Sequence, residues 1–357
     1  MKTIFITGAA GYVGFMLVEQ FLKRDDIERI IALDKEEMPP SFANNPRIMY
    51  IHKNTSDAWE EEVGKYAPEI VIHAAWQIRD MYGNAHLQEK WNIGGSDRVF
   101  DFTFSQPSVK RLVYFSTVAS YGAYPDNTIE RVYFETDPFR PSDYRYAEEK
   151  RIVEMHLEEK YAAAKKAGRD VTVSIIRPAA ITGPRGRFAR IRFGLQSALS
   201  GKLSGSFVYS LVSTLTSFIP ATSRWARQFI HEDDIVDIAT LLAFDERVTG
   251  YDAFNASPPG AIVLPKDMGE VVGKRVVIVP PFIIRVAFFC MWHLTLGKIP
   301  TTRGAWKGYS YPIIVDGSKI TKQYGYQYRM PSKDAFQYTD GRYEDSVPEN
   351  ERRHKTA

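Results

Sequence analysis

Cysteine is almost missing from the 357 residues, with Cys290 standing alone. One thiol closes no intrachain disulfide and gives a zinc site no second thiolate, so cytoplasm is the expected location and no metal is expected. A charge excess is missing as well. Lys and Arg total 46 against 43 Asp and Glu, a net charge of +3, far from the concentrated basic surface that phosphate neutralisation demands, so nucleic acid is excluded as the expected partner. Nor is there an apolar run fit to cross a bilayer. Residues 207–219 are too few, and residues 276–296 are broken by Pro280, Pro281, Arg285 and His293. Both read as buried or pocket-lining helices, with interfacial membrane contact as the lesser alternative. Met1 to Thr7 enter a strand pattern directly, without the basic start and small-residue cleavage site of a secretory leader. Glycine (24) and proline (20) are near ordinary usage, which leaves a globular chain long enough to bury a sizeable core.

What is present, in the first half, is alternation. Strand-like runs fall at residues 3–7, 30–33, 47–52, 70–73, 111–115 and 171–176, with amphipathic helices between them at 11–23, 57–66, 87–104 and 143–167. That spacing implies an α/β fold with a parallel sheet covered on both faces. After Arg177-Pro178 the alternation gives way to Gly, Ser, Pro and aromatics, the composition of loops over a site. Two later segments, 229–244 and 251–255, read as returning to the first unit. The expected organisation is a dinucleotide-binding domain over 1–178, completed by 227–256, and a smaller, partly helical substrate-binding region over 179–226 and 257–339. A polar mobile tail over 340–357 follows.

Thr7-Gly8-Ala9-Ala10-Gly11-Tyr12-Val13-Gly14 joins the first strand to the first helix. Glycines there let the backbone turn tightly and approach a pyrophosphate, whose charge suits a helix N-terminus. Asp34 ends the second strand twenty residues after Gly14, where a carboxylate can bond the adenosine ribose and repel a 2′-phosphate. NAD is therefore preferred over NADP, a preference that neighbouring Lys35 tempers. The spacing of these glycines, three and then three, resembles the T-G-x-x-G-x-x-G of the extended short-chain dehydrogenases/reductases, the family that includes NAD-dependent nucleotide-sugar epimerases and dehydratases. Further matches follow in order: Ile72-His73-Ala74-Ala75, Asn92, Phe115-Ser116-Thr117 with Tyr121-Gly122, Tyr146 to Lys150, Arg177-Pro178 with Gly183-Pro184, and Arg227 to Asp234. The resemblance covers residues 1–256 and, more loosely, 316–335. It implies a Rossmann-type doubly wound sheet with NAD held by Gly8, Ala10, Gly11, Tyr12, Val13, Gly14, Asp34, Ala74, Ala75, Asn92, Tyr146, Lys150 and Arg177. Asn54 departs from the Asp that relatives often carry near the adenine.

Tyr-x-x-x-Lys occurs twice, at Tyr146/Lys150 and Tyr161/Lys165. Ligands of a parallel sheet bind beyond the C-terminal strand ends, and a crossover helix begins at that edge and runs away from it. Tyr161 lies about 22 Å farther along the helix, so only Tyr146 can face the cofactor, and Tyr161 and Lys165 read as a solvated helix end. Lys150, one turn after Tyr146, shares its face. An ammonium there, with the positive nicotinamide, is expected to bring the phenol from near 10 toward neutrality and make Tyr146 a base for a hydroxyl proton. In the family, the residue matching Thr117 hydrogen-bonds the reacting oxygen.

The resemblance also bears on the reaction. Val118 and Ala119 stand where the family's 4,6-dehydratases place Asp and Glu, so a dehydratase of that type is not expected. Arg227 stands where relatives bind the substrate pyrophosphate, and Trp76 follows the fourth strand toward the substrate. Ala180, however, replaces an Asn common among sugar-nucleotide relatives. Two readings stay open: an epimerase of a nucleotide sugar, and a net dehydrogenase or reductase of a hydrophobic alcohol or ketone, similar to the 3β-hydroxysteroid dehydrogenase and dihydroflavonol reductase branches. Intact Thr117, Tyr146 and Lys150 count against a non-catalytic dinucleotide sensor. The run from His231 to Asp234 reads as acids favoured by a helix dipole, and His73 as a packed histidine. The family implies a homodimer formed through the helices at 87–104 and 143–167.

Overall fold

The computed structural model describes residues 1–189 and 218–355. Its main sheet has seven strands: β1 (Lys2–Thr7), β2 (Ile27–Asp34), β3 (Ile48–His52), β4 (Ile70–His73), β5 (Arg111–Phe115), β6 (Thr172–Pro178) and β7 (Tyr251–Ala256). All pair in parallel, in the order β7-β6-β5-β4-β1-β2-β3. The chain winds outward from β1 to β3, then resumes on the other side of β1 with β4. The reversal point therefore lies between β1 and β4, where open α/β sheets hold ligands.

Helices important to the argument are α1 (Tyr12–Phe21), α2 (Gly95–Ser105), α3 (Arg145–Lys166), α4 (Glu232–Phe244), α5 (Pro281–Leu294) and α6 (Ala305–Ser310). Alternation along β1 sorts them into two layers. Ile4 and Ile6 join Met16, Leu17 and Phe21 of α1 with Ile235, Ile238 and Leu242 of α4. Phe5 joins Val99 and Phe100 of α2 with Val153 and Leu157 of α3. Burial on both faces explains why these strands read as unbroken apolar runs.

The helix read at 87–104 is three pieces, Ala85–Glu89, a π-helical turn Lys90–Gly94, and α2. A Cβ on Gly95 would lie 2.2 Å from the Thr55 Oγ1, so the helix can pass that loop only with a bare backbone. Residues 276–296 also differ from the buried reading. They divide into a strand, Arg275–Ile278, and α5, of which only Ile284 is fully buried. Pro280 and Pro281 stop the strand and start the helix. Residues 207–217 lie outside the described residues, while Phe218–Ala221 is a strand paired with Arg275–Ile278. Among the described residues no helix is long and apolar enough to cross a membrane.

Residues 340–355, the expected tail, make contacts with the body of the protein. Val347 is buried, Arg342 pairs with Asp237, the Arg353 N–H donates to Thr339 Oγ1 at 2.7 Å, and His354 sits 2.9 Å from Asp340 and 3.0 Å from Glu344. The contacts are mostly ionic, so no apolar period announces them.

One buried ion pair ties α3 to the end of β6. Arg177 donates from Nε and Nη2 to Glu154, with 2.6 Å at Nη2, and from Nη1 to the Tyr121 hydroxyl at 2.9 Å. Removing one member strands the other charge in a poor solvent for it. Glu154→Ala is expected to lower stability by about 3–5 kcal/mol in denaturant unfolding. Adding Arg177→Met should recover much of that loss; a double variant as unstable as the single one would show that the pair is not the cause.

Candidate active site

The cleft is built from a backbone crossing. Beyond Thr7 the chain turns through Gly8 at φ +73°. A Cβ on Gly8 would lie 2.5 Å from the Ala75 nitrogen, and one on Gly14 only 2.0 Å from the Gly8 oxygen. Three segments meet here with no room for side chains. Gly11 is the N-cap of α1, with no side-chain cap and no acid in the first turn, so the N–H groups of Tyr12, Val13 and Gly14 lack a capping side chain. Ala74 and Ala75 form the facing wall; their N–H groups donate to the Thr7 oxygen at 3.2 Å and to Thr7 Oγ1 at 3.4 Å.

Asp34 ends β2 beside this turn. Its Oδ2 accepts the Ala10 N–H at 2.9 Å and its Oδ1 the Glu36 N–H at 3.0 Å. Burial pushes its carboxyl up, and those two bonds oppose the shift. Each oxygen keeps a lone pair for a ribose hydroxyl. Lys35 lies 2.5 Å from Glu36 and over the Trp91 ring. Asn54 Oδ1 accepts the Ser56 N–H at 3.0 Å. Tyr12 turns its phenol away from the crossing to donate to Glu232, whose carboxylate also accepts the N–H groups of Arg185 and Gly186, each at 3.0 Å. The glycine cradle, the uncapped N–H groups and Asp34 fit a dinucleotide.

Thr117 follows β5. Its Oγ1 accepts the Ala119 N–H at 3.1 Å, which closes a turn, and its side chain also acts on the phenol of Tyr146. Tyr146 is the second residue of α3, and Lys150 lies one turn on. The Lys150 ammonium donates to the Phe115 carbonyl and sits 3.6 Å from the centre of the Trp76 ring and 4.8 Å from that of Tyr114. Burial drives Lys150 well below the usual lysine range, against Glu154 and Glu149. Burial likewise raises the Tyr146 phenol, and the Thr117 bond opposes it. Lys150 is not among the groups acting on this phenol here; the expected lowering is the joint effect of Lys150 and the nicotinamide. Both groups are desolvated, and the ammonium is engaged by a carbonyl and two rings.

Tyr144 precedes α3 and was missed by spacing arguments. Its ring centre is 5.8 Å from that of Tyr146, and its phenol, raised by burial, also feels Asp80 and Arg227. Arg227 donates from Nη2 to the Gly308 carbonyl of α6 at 3.0 Å. Among the described residues no carboxylate pairs with it, and burial pulls its pKa down while Tyr144 and Tyr309 oppose that. The signal for Tyr144 was its place at the start of the helix, where an N-terminal residue overlooks the strand ends.

Other predicted residues lie in the surrounding frame. The Asn92 amide, in the π turn, is taken up by Gln77 N–H (2.8 Å), Gln77 oxygen (3.0 Å) and Glu149 (2.7 Å). Arg177 gives its guanidinium to Glu154 and Tyr121, as described. His73 is held between Thr7 Oγ1 at 2.7 Å and Ser96 Oγ at 2.8 Å. Tyr161 packs on Tyr251 at 4.8 Å, which makes that helix end half-packed rather than solvated. The four residues from His231 diverge: Asp233 accepts the Arg342 N–H at 2.9 Å, while Asp234 accepts the Tyr326 phenol at 2.5 Å and the Arg329 N–H at 3.0 Å.

A family model described as the NAD dependent epimerase/dehydratase family matches residues 4–256. An uncharacterized protein of Mycobacterium tuberculosis is 23% identical over 345 residues, covering 94% of this chain and 82% of that protein. Among solved structures, the Bordetella bronchiseptica enzyme WbmG in complex with NAD is 23% identical with a TM-score of 0.65, over 94% of this chain and 91% of that one. UDP-glucose 4-epimerase of Thermotoga maritima with UDP-glucose is 20% identical, TM-score 0.63, over 94% and 97%. dTDP-glucose 4,6-dehydratase of Bacillus anthracis in complex with NAD is 14% identical, TM-score 0.64, over 95% of each chain. At these identities the structures share the fold.

Two outcomes follow from this geometry. Asp34→Ala is expected to raise NADP affinity relative to NAD by about tenfold, read by fluorescence titration; an unchanged ratio removes Asp34 from the ribose site. Burial, with Lys150 adding to it, lowers His73 from 6.5 to about 3. The unfolded chain therefore binds the proton first. His73 contributes stability fully above the unfolded value, and that contribution is lost as pH falls toward 3, by at most about 1.4 kcal/mol per pH unit. His73→Gln should flatten the acid limb of the stability curve, and an unaltered limb would contradict the buried neutral ring.

Proposed function

The chain belongs to the NAD dependent epimerase/dehydratase family, and from that premise we propose that it is an epimerase acting on a secondary hydroxyl of a nucleotide sugar. The observation that carries the substrate class is Arg227, a desolvated cation with no carboxylate partner among the described residues, facing Tyr144 beside Tyr146. A pyrophosphate would neutralise it through bidentate, charge-assisted bonds. The Trp76 indole N–H is buried without an acceptor, which suits a sugar hydroxyl.

In this reading the first turn of α1 and the walls at Ala10, Ala74 and Ala75 hold the pyrophosphate. Asp34 holds the adenosine ribose and Lys150 the nicotinamide ribose. Asn92 and Arg177 act through the loops and helices they fix. A nicotinamide held there would supply the hydride acceptor and donor for the carbinol carbon and a positive ring that favours the phenolate. Thr117 orients the reacting oxygen, and Tyr146 removes its proton and restores it after the ketone has turned. Val118 and Ala119 transfer no proton, which disfavours a 4,6-dehydratase. Homodimerisation across α2 and α3 belongs to the same proposal; Met155 of α3 is 46% exposed. The Trp76 ring beside Lys150, and Tyr144 and Tyr309 beside Arg227, favour, as a second reading, a dehydrogenase of an apolar alcohol.

Redox-neutral interconversion of nucleotide sugars is expected with purified protein and NAD. Tyr146→Phe should lower kcat by about 10²–10⁴-fold with NAD affinity little changed, and Arg227→Met should raise KM for the sugar by about tenfold. Steady NADH formation from a hydrophobic alcohol, unaffected by Arg227→Met, would replace the epimerase with the second reading.

A further inference from the structure

From Val271 to Val315 the sequence has six Lys and Arg and no Asp or Glu. This stretch carries α5, whose residues Phe282, Ile283, Val286, Phe289 and Leu294 are 64, 42, 57, 64 and 75% exposed. At 3.6 residues per turn they share one face. The opposite face is the anchored one: Ile284 is buried, the Phe288 ring packs 5.6 Å from Tyr309, and Trp292 lies 5.3 Å from Tyr82. Ile278 and Leu296, 55 and 65% exposed, extend the bare face at both ends. Leu296 is held there at φ +49°, which an L residue rarely adopts. Apolar surface of this extent is seldom left in water without a partner.

The charges around it identify the partner. Arg275, Arg285, Lys298 and Arg303 are exposed and pair with no carboxylate among the described residues; Arg285 has the Trp306 ring at 5.7 Å. A second copy would set these cations against their own kind. An exposed apolar face in a stretch whose charges are all cationic matches the acyl boundary and phosphates of anionic lipid. At 14 residues α5 is too short to span a bilayer, so it would lie in the plane of the interface.

We propose that α5 and its flanking turns dock the protein on an anionic lipid bilayer surface. The contact takes up the lesser alternative for residues 276–296 and is independent of the reaction catalysed. It places the cleft near the lipid. The Tyr82 hydroxyl lies 3.2 Å from the His293 ring of α5, and α6, packed on α5, supplies the carbonyl that holds Arg227.

The test is co-sedimentation of the full chain with vesicles of phosphatidylcholine alone or mixed with phosphatidylglycerol. Binding to the mixed vesicles is expected to exceed binding to phosphatidylcholine by about tenfold and to weaken with added salt. Phe282→Ser/Phe289→Ser and Arg275→Ser/Arg285→Ser should each lower it by about tenfold, with NAD affinity and melting temperature unchanged because those side chains are exposed. Protein that stays in the supernatant with both vesicles overturns the proposal. So does binding indifferent to both variants. Ultracentrifugation that shows a self-association dissolved by the phenylalanine variant also overturns it, in favour of a second copy.

Discussion

Three stretches of backbone meet at the end of β1 with no side chain between them, and the cleft takes its shape from that contact. The Gly8 oxygen occupies the space that a Cβ on Gly14 would need, while Gly8 itself abuts Ala75 beyond β4. The crossing brings the uncapped end of α1 to the reversal point of the sheet, where its N–H groups can meet a phosphate. It also fixes what lies behind. Thr7 bonds the Ala75 N–H and the His73 ring, and His73 bonds Ser96 of α2. The turn is thereby tied through buried hydrogen bonds to the helix layer on the far face. Such a network leaves little freedom for the walls of the cleft to drift apart.

Buried charge in this molecule is handled in two ways. Where it serves the frame, it is neutralised: Arg177 meets Glu154 in a several-pronged contact, and Glu232 accepts three donors. Where it borders the cleft, it has no direct ionic partner among the described residues. Lys150 has a carbonyl and two aromatic rings, and Arg227 has a carbonyl. Both cations are disfavoured by burial and held at that cost by the surrounding structure. A positive potential in a desolvated cleft attracts anions strongly, and the pyrophosphate of a dinucleotide is such an anion.

Much of the fold was legible because its signals are local. Strand periodicity placed β1, β4 and β5 correctly, and the glycine spacing located the turn, since only glycine tolerates that approach. Tyr146 could be separated from Tyr161 by helix length alone. What escaped depends on partners far away in sequence. The partners of Arg177 and Asn92 lie on α3, 23 and 57 residues away, so a motif match could not reveal that both side chains are already occupied. The contacts of the tail are mostly ionic and leave no apolar period to read, and α5 was taken as buried because an apolar helix has the same period whether or not anything covers it. The desolvation that raises the Tyr146 phenol is likewise set by residues distant in sequence, which a count of neighbouring charges does not include.

The return of α4 and β7 to the sheet has a consequence for synthesis. Ile4, Ile6 and Met16 share their core with Ile235, Ile238 and Leu242, and β7 closes the edge beside β6. A ribosome that has made everything up to β6 has therefore produced a sheet with an open edge and an uncovered greasy face. Both must wait for the chain that carries α4 and β7 to be translated before they are sealed. During that interval the nascent protein is exposed to aggregation, and chaperone demand should be set by the length of that intervening stretch rather than by the size of the finished domain.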